Sequence, residues 1–218
     1  VAKAKLTNEL QSMAKTPLLV AMDAEWGLAM RLDSVYAFPW NMTLGALKDN
    51  ALVEQTGRHI AQHCKRLGVH IDFAPDIDIN TNPKNPIIGN RSFGESKFNV
   101  AQKGVAFTKG MQSVGVLACG KHFPGHGDTE KDSHKTLPTV SFSRERLEST
   151  EFYPFQQLIS AGVASLMVGH LNVPALDEGK PTSISYKVVS GLIKQQMGFQ
   201  GLIFSDALGM KGVADYAE

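Results

Sequence analysis

A chain of 218 residues, 43% of them hydrophobic, can bury a sizeable core and is too apolar to read as disordered. Its 22 basic and 21 acidic residues are interspersed and nearly cancel, which excludes the one-signed basic field that nucleic acid or an anionic membrane surface requires. Two cysteines define neither a disulfide framework nor a CxxC metal site, and no apolar run reaches the length of a membrane span.

The chain opens on "VAKAKLTNEL", with neither an initiator Met nor an apolar signal core, and reads as the interior of a longer protein. The near-neutral composition fits a cytoplasmic and an exported setting equally. A helix is expected over 3–14, as the tail of a preceding unit. Short apolar runs then recur: "PLLVAMDAE" (17–25), "GVHIDFAPDIDI" (68–79), "GVLACGKHF" (115–123), "GVASLMVGH" (162–170) and "GLIFSDALGM" (201–210). Their length and lack of alternation predict buried parallel strands. Between them, residues 47–68, 96–115, 143–162 and 185–198 carry helical periodicity. Each of these four ends at a glycine, and the last two open on a serine suited to an N-cap. Cys64 falls in a helix and Cys119 in a strand.

Alternating β and α elements predict a parallel sheet covered by helices, either doubly wound or closed as a (β/α)₈ barrel. No strand is followed by a GxGxxG or P-loop pattern, which argues against a doubly wound nucleotide-binding sheet. All five strands run into polar residues at their C-terminal ends: Asp23 and Glu25, Asp76 and Asp78, Lys121 and His122, His170, and Asp206. In a parallel barrel these ends share the face that carries active sites. The expectation is one incomplete TIM-type barrel over 1–218, with about five of its eight βα units visible.

The stretch "KHFPGHGDTEKDSH" (121–134) sets His122, His126 and His134 beside Asp128, Glu130 and Asp132. A metal site built on the three histidines is one reading, although the spacing matches neither HExxH nor another tight zinc pattern. A solvated surface loop shaped by Gly and Pro is a second. The third is acid/base catalysis centred on Asp132 and His134, because a carboxylate two residues from an imidazole can orient the ring and favour its protonated form. Such a donor needs a partner across the bond to be broken. Asp206, delivered by an apolar strand into the barrel mouth, is the candidate, with a helix N-cap as its plainer role.

These motifs, together with "DAEWGLAMRL", "NRSFGE" and "FSDALGM", resemble those of family 3 glycoside hydrolases, specifically the bacterial β-N-acetylglucosaminidase (β-N-acetylhexosaminidase) branch. The resemblance runs from Asp23 to Met210 and implies a retaining, exo-acting glycosidase that needs no metal or organic cofactor. It implies Asp206 as the nucleophile that forms a covalent glycosyl-enzyme, His134 as the general acid/base and Asp132 as its orienting carboxylate. Asp23, Arg31, Arg91, Lys121 and His122 would grip the hydroxyls of the terminal sugar. The glycine-rich remainder of the loop would be an arm that brings Asp132 and His134 to the glycosidic oxygen. The DSH-type dyad favours N-acetylglucosamine over glucose, as in a peptidoglycan fragment. The chain departs from the family's DQEGGRVxR pattern at Trp26 and Leu28, and Trp26 would either pack under the barrel mouth or offer an apolar face to a sugar ring. Three alternatives stand beside this reading: a β-glucosidase of the same family, a metal-dependent hydrolase using His122, His126 and His134, and an inactive sugar-binding barrel. The partner in every glycoside reading is a carbohydrate, with further domains in the full-length chain.

Overall fold

A computed structural model describes residues 2–129, 137–210, 213 and 216. Five strands, β1 (Ala21–Met22), β2 (Ile71–Asp72), β3 (Leu117–Phe123), β4 (Ser165–Val168) and β5 (Leu202–Ser205), form one parallel sheet in consecutive order. Ala21 pairs with Ile71, Ile71 with Leu117, Cys119 with Ser165, and Ser165 with Leu202. Sequential parallel neighbours, each pair bridged by a helical crossover, are the wiring of a TIM-type (β/α)₈ barrel, here five strands of the eight. Exposure rises toward the two ends of the sheet: β2 and β4 are wholly buried, whereas Ala21, Leu202 and Ser205 are exposed.

The ladders are shorter than the apolar runs that predict them. In 68–79 the regular ladder with β1 and β3 stops at Asp72; three residues on Pro75 has no N–H to offer a neighbour, and pairing with β3 resumes only as a single parallel bridge between Asp76 and Lys121. Beyond their last rungs the runs leave the sheet and present polar side chains at its C-terminal mouth. β3 is the longest strand, and its register with β4 slips between Gly120 and Phe123, just where Lys121 and His122 emerge.

Helices form as α1 (Ala2–Met13), a short α2 (Asn41–Gly45) that lies outside every predicted helical run, α3 (Asn50–Arg66), α4 (Lys97–Gln112), α5 (Arg144–Arg146) and α6 (Phe152–Ser160). The glycines that close the four internal helical runs, Gly68, Gly115, Gly162 and Gly198, have φ of 75°, 84°, 81° and 71°, left-handed values that only glycine adopts without steric cost. Ser143 caps α5 by accepting the Arg146 N–H at 3.3 Å, and the Ser185 hydroxyl accepts the Val188 N–H at 3.2 Å. Two stretches depart from the α-winding that the periodicity predicts, Leu147–Glu151 and Lys187–Gln196, which are π-wound. The first runs into Pro154, which cannot supply the N–H that an α-turn would take there.

One continuous core lies between sheet and helices. Phe123 of β3 stacks on Phe152 at 5.3 Å and meets Phe155 edge-on at 5.1 Å, tying the longest strand to α6. Both cysteines are buried in the expected elements. Among the described residues, no helix is long and apolar enough to cross a membrane.

Candidate active site

The C-terminal ends of the strands enclose a cavity of about 370 Å³. Asp23, Glu25 and Arg31 reach it from the segment after β1, Arg91 from the turn Gly89–Arg91 between β2 and α4, Lys121 and His122 from β3, and Asp206 from β5. Two larger depressions, about 480 Å³ beside α3, α4 and α6 and about 610 Å³ beside Asp128 and Pro138, have no buried charged side chain among the described residues of their walls. It is in the smaller cavity that buried charges of both signs converge.

Lys121 is the hub of that convergence. Its ammonium, 2% exposed, lies 2.9 Å from Asp23 Oδ1 and 2.8 Å from Glu25 Oε1. Arg91 grips Glu25 with both ends of its fork, Nε to Oε2 at 3.0 Å and Nη2 to Oε1 at 2.8 Å, and Arg31 Nη2 meets Asp23 Oδ2 at 2.6 Å. Burial pushes the Asp23 and Glu25 carboxyls up, but Lys121 with Arg31 or Arg91 outweighs it and holds both below the ordinary carboxylate range. Burial likewise opposes the charge on Lys121, and its two carboxylate partners raise its pKa regardless. The network is therefore fully ionised at neutral pH, a rigid arrangement of donors and acceptors facing the cavity.

Beneath it lies a second layer of acids. Asp78, wholly buried, accepts the His122 and His126 backbone N–H groups at 3.2 and 2.6 Å, and its Oδ2 is 2.8 Å from His122 Nδ1. With Nδ1 donating to that carboxylate, the Nε2 lone pair is turned toward Arg91 Nη2, 3.5 Å away. Burial first, then Arg91, lowers the His122 pKa to about 4, so the ring is neutral at pH 7. Asp76 does not border the cavity. Burial and the neighbouring Asp78 push it up to about 8, so it keeps its proton at neutral pH. Asp72, pushed by burial up to about 7, accepts the Ala24 N–H at 2.8 Å and leaves its second oxygen unpaired. Asp76, Asp78 and His122 present one potential metal-ligand atom each within 4.8 Å of one another, but the His122–Asp78 bond already uses the ring nitrogen nearest the acids.

Asp206 stands half-buried just past β5. Its N–H continues the ladder to Val168 O at 2.9 Å, and its Oδ1 accepts the Ala207 N–H at 2.8 Å. Burial raises its pKa, but His122, that N–H, His170 and Lys121 together outweigh burial and favour the carboxylate. Among the described residues it caps no helix N-terminus. Trp26 lines the cavity and packs against Trp40 with ring centroids 4.1 Å apart and ring planes tilted by 42°, combining packing with an apolar face at the mouth. His126 is buried at the cavity edge, with Nδ1 2.6 Å from the Thr129 hydroxyl. His170 is wholly buried, does not border the cavity, and contacts Ser183 and Ala207. Asp132 and His134 lie outside the described residues.

All five residues expected to grip a ligand, together with Asp206, thus border one cavity. In the sequence, Glu25, Asp76 and Asp78 stand out only as polar strand ends. The two Asp side chains are supports, and Glu25 is a central partner of both cations. Their signal is an acid at alternate positions, Asp23 and Glu25, Asp76 and Asp78, which on an irregular strand end brings neighbouring carboxylates to one region.

A parallel half-barrel whose strand ends focus fixed ion pairs and one separate carboxylate on a sugar-sized cavity is the architecture of a barrel enzyme for polyhydroxylated ligands. The chain belongs to glycosyl hydrolase family 3: the model of the family's N-terminal domain matches residues 1–218. It is 41% identical to a family 3 β-N-acetylglucosaminidase from Paenibacillus sp. str. FPU-7, with a TM-score of 0.94 over 99% of this chain and 42% of that one. Beta-hexosaminidase A of Pseudoalteromonas piscicida is 36% identical over 97% of this chain and 39% of its own length. A solved beta-glucoside phosphorylase is 29% identical, with a TM-score of 0.93 over 97% of this chain and 40% of that one. The chain therefore spans about two-fifths of the length of each of these relatives.

Proposed function

We propose that residues 1–218 are the barrel of a retaining, exo-acting β-N-acetylglucosaminidase that releases terminal β-linked N-acetylglucosamine, with peptidoglycan fragments as its natural source. The observation that carries this reading is the shared cavity: ion-paired Asp23, Arg31, Arg91 and Lys121 with neutral His122 on one side, and the lone carboxylate of Asp206 from the far end of the sheet. Fixed charges of both signs suit vicinal hydroxyls, which donate and accept at once. A volume of about 370 Å³ holds one sugar ring rather than a chain, in keeping with exo action. The relatives named β-N-acetylglucosaminidase and beta-hexosaminidase support the choice of sugar.

In this mechanism Asp206 attacks the anomeric carbon as the C–O bond to the aglycone breaks, and His134, oriented by Asp132, gives its proton to the departing oxygen. Water, deprotonated by His134, then displaces Asp206 from the opposite face, the one the aglycone left, so two inversions retain the β configuration. Histidine stands where most retaining glycosidases place a second carboxylic acid. An imidazole titrates near ~6.5 without help, so it needs less burial than a carboxylic acid to be protonated near neutral pH.

The likeness to a beta-glucoside phosphorylase favours a second reading, transfer of a glucosyl group to phosphate through the same nucleophile. Turnover of aryl β-N-acetylglucosaminide and aryl β-glucoside, with chelator present, with and without phosphate, separates the two. The expected result is hydrolysis of the former, independent of phosphate and chelator and abolished in Asp206→Ala. Preference for the glucoside with phosphate dependence would replace the first reading with the second. Loss on chelation would restore the metal-dependent hydrolase, and binding without turnover the inactive barrel.

A further inference from the structure

Where β4 and β5 separate, the last ladder bond between them runs from the Asp206 N–H to Val168 O, and the next link is a side chain. His170 Nε2 lies 3.0 Å from the carbonyl oxygen of Ala207, and its Nδ1 lies 2.6 Å from the Ser183 hydroxyl. We propose that His170 is a positioning residue that aims the Asp206 carboxylate, its Nε2–H taking the place of the missing rung. The inference rests on the reading of Asp206 as nucleophile.

A carbonyl oxygen only accepts, so Nε2 must carry the proton whatever the state of Nδ1. Ser183 fixes which way the ring stands, and Ser183 is itself anchored. It belongs to the turn Thr182–Ile184, where the Thr182 hydroxyl donates to Gly169 O at 2.7 Å and the Thr182 N–H to Leu171 O at 2.9 Å. The turn is thus fastened to both neighbours of His170 in the chain. On the other side, Ala207 is held through both its peptides: its carbonyl by His170, its N–H by Asp206 Oδ1 at 2.8 Å. The same carbonyl also accepts the Met210 N–H at 3.0 Å, so without His170 it keeps one bond of two, and the backbone that presents the N–H orienting the carboxylate is held less firmly. The His170 ring does not border the cavity, and its two hydrogen-bond partners are Ser183 and Ala207, so its hydrogen-bonded link to Asp206 runs through Ala207, beside a direct electrostatic pull on the carboxylate.

The test uses the full-length protein and the variants His170→Gln, His170→Leu and Asp206→Ala. Gln keeps an N–H donor near the position of Nε2, and Leu fills the space without one. Two quantities are read: the rate at which a 2-acetamido-5-fluoro-glycosyl fluoride labels residue 206, by intact mass, and the inhibition constant of N-acetylglucosamine. Labelling forms the bond from the Asp206 oxygen to the anomeric carbon and releases fluoride, so it reports the aim of the nucleophile alone. The expected result is a loss of about 10²-fold in labelling for His170→Leu, the size of effect that a misplacement of about 1 Å produces. His170→Gln should recover about tenfold or more of it, with the inhibition constant changed by less than about threefold in both. Wild-type labelling in His170→Leu would overturn the inference, as would equal losses in Gln and Leu together with a weakened inhibition constant, which mark general damage to the site. Turnover and labelling surviving in Asp206→Ala would instead overturn the nucleophile reading beneath it.

Discussion

Lys121 carries more of the site than any other single side chain, because one buried ammonium answers two carboxylates that arrive from a different strand. Lys121→Met leaves Asp23 and Glu25 facing each other with only Arg31 and Arg91 in support. Breaking a buried pair from one side costs about 3–5 kcal/mol, and the two arginines place the expected loss near the lower figure. Urea unfolding of wild type and variant measures it, and a loss under about 1 kcal/mol would mean that the arginines alone hold the carboxylates. Asp72 behaves in the opposite sense. Burial pushes its pKa up to about 7, so the folded protein keeps a proton that the unfolded chain releases near pH ~3.9. Between those values the folded state binds more protons, and stability falls with rising pH by at most about 1.4 kcal/mol per unit. Asn supplies the acceptor and donor of the protonated acid without this slope. Asp72→Asn should therefore gain in melting temperature over wild type as pH rises from about 5 to about 7.5, the window below and through the folded pKa; a constant difference across that window would show that Asp72 is ionised in the fold.

At the scale of elements, α3 and α4 approach closely because glycines remove side chains where they touch. A Cβ at Gly110 would fall 1.9 Å from the Glu54 carbonyl oxygen, and one at Gly57 would fall 2.4 Å from that of Phe107, both backbone atoms that cannot swing aside. Gly110→Ala must push the helices apart, at a cost of about 3 kcal/mol or more, or roughly 6–12 °C in melting temperature for a chain of this size. Gly162, with φ of 81° and nothing within 4 Å of the methyl group an alanine would add, is the contrast: Ala there costs only the left-handed backbone, about 1–2 kcal/mol. Equal melting-temperature losses in the two variants would remove the close-contact account. The two kinds of glycine are unequally legible in the sequence. Gly162 ends a periodic run, which is a local signal, whereas Gly110 lies inside one and its reason is a contact 56 residues away, from Glu54. The same limit explains the π-wound segments and the short ladders, whose hydrogen-bond partners are chosen by geometry that periodicity does not encode.

In the whole molecule, the site exists only because the sheet brings together Asp23, Arg91, Lys121 and Asp206 from four parts of the chain. Each can be picked out in its own motif, but the pairings cannot: Glu25 and Arg91 are 66 residues apart, and Asp23 and Lys121 are 98. Asp78, which sets the His122 tautomer, reads in the sequence as one more acid at a strand end. The proposed function puts its two chemical roles on residues far apart in the sequence, Asp206, just past β5, and His134. The two steps of glycosyl transfer should then respond separately. If His134 must donate a proton to the aglycone, kcat/KM has an alkaline limb in wild type that is absent in His134→Ala. The loss in the variant should be about 10²–10⁴-fold for an alkyl or sugar leaving group, which departs poorly without a proton. It should be much smaller for a dinitrophenolate, which leaves unaided, and there the variant should accumulate glycosyl-enzyme on Asp206 because water is no longer activated. A burst of dinitrophenol followed by slow turnover is the expected trace. Equal losses for both leaving groups with an unchanged pH profile would take the proton away from His134 while leaving the nucleophile in place.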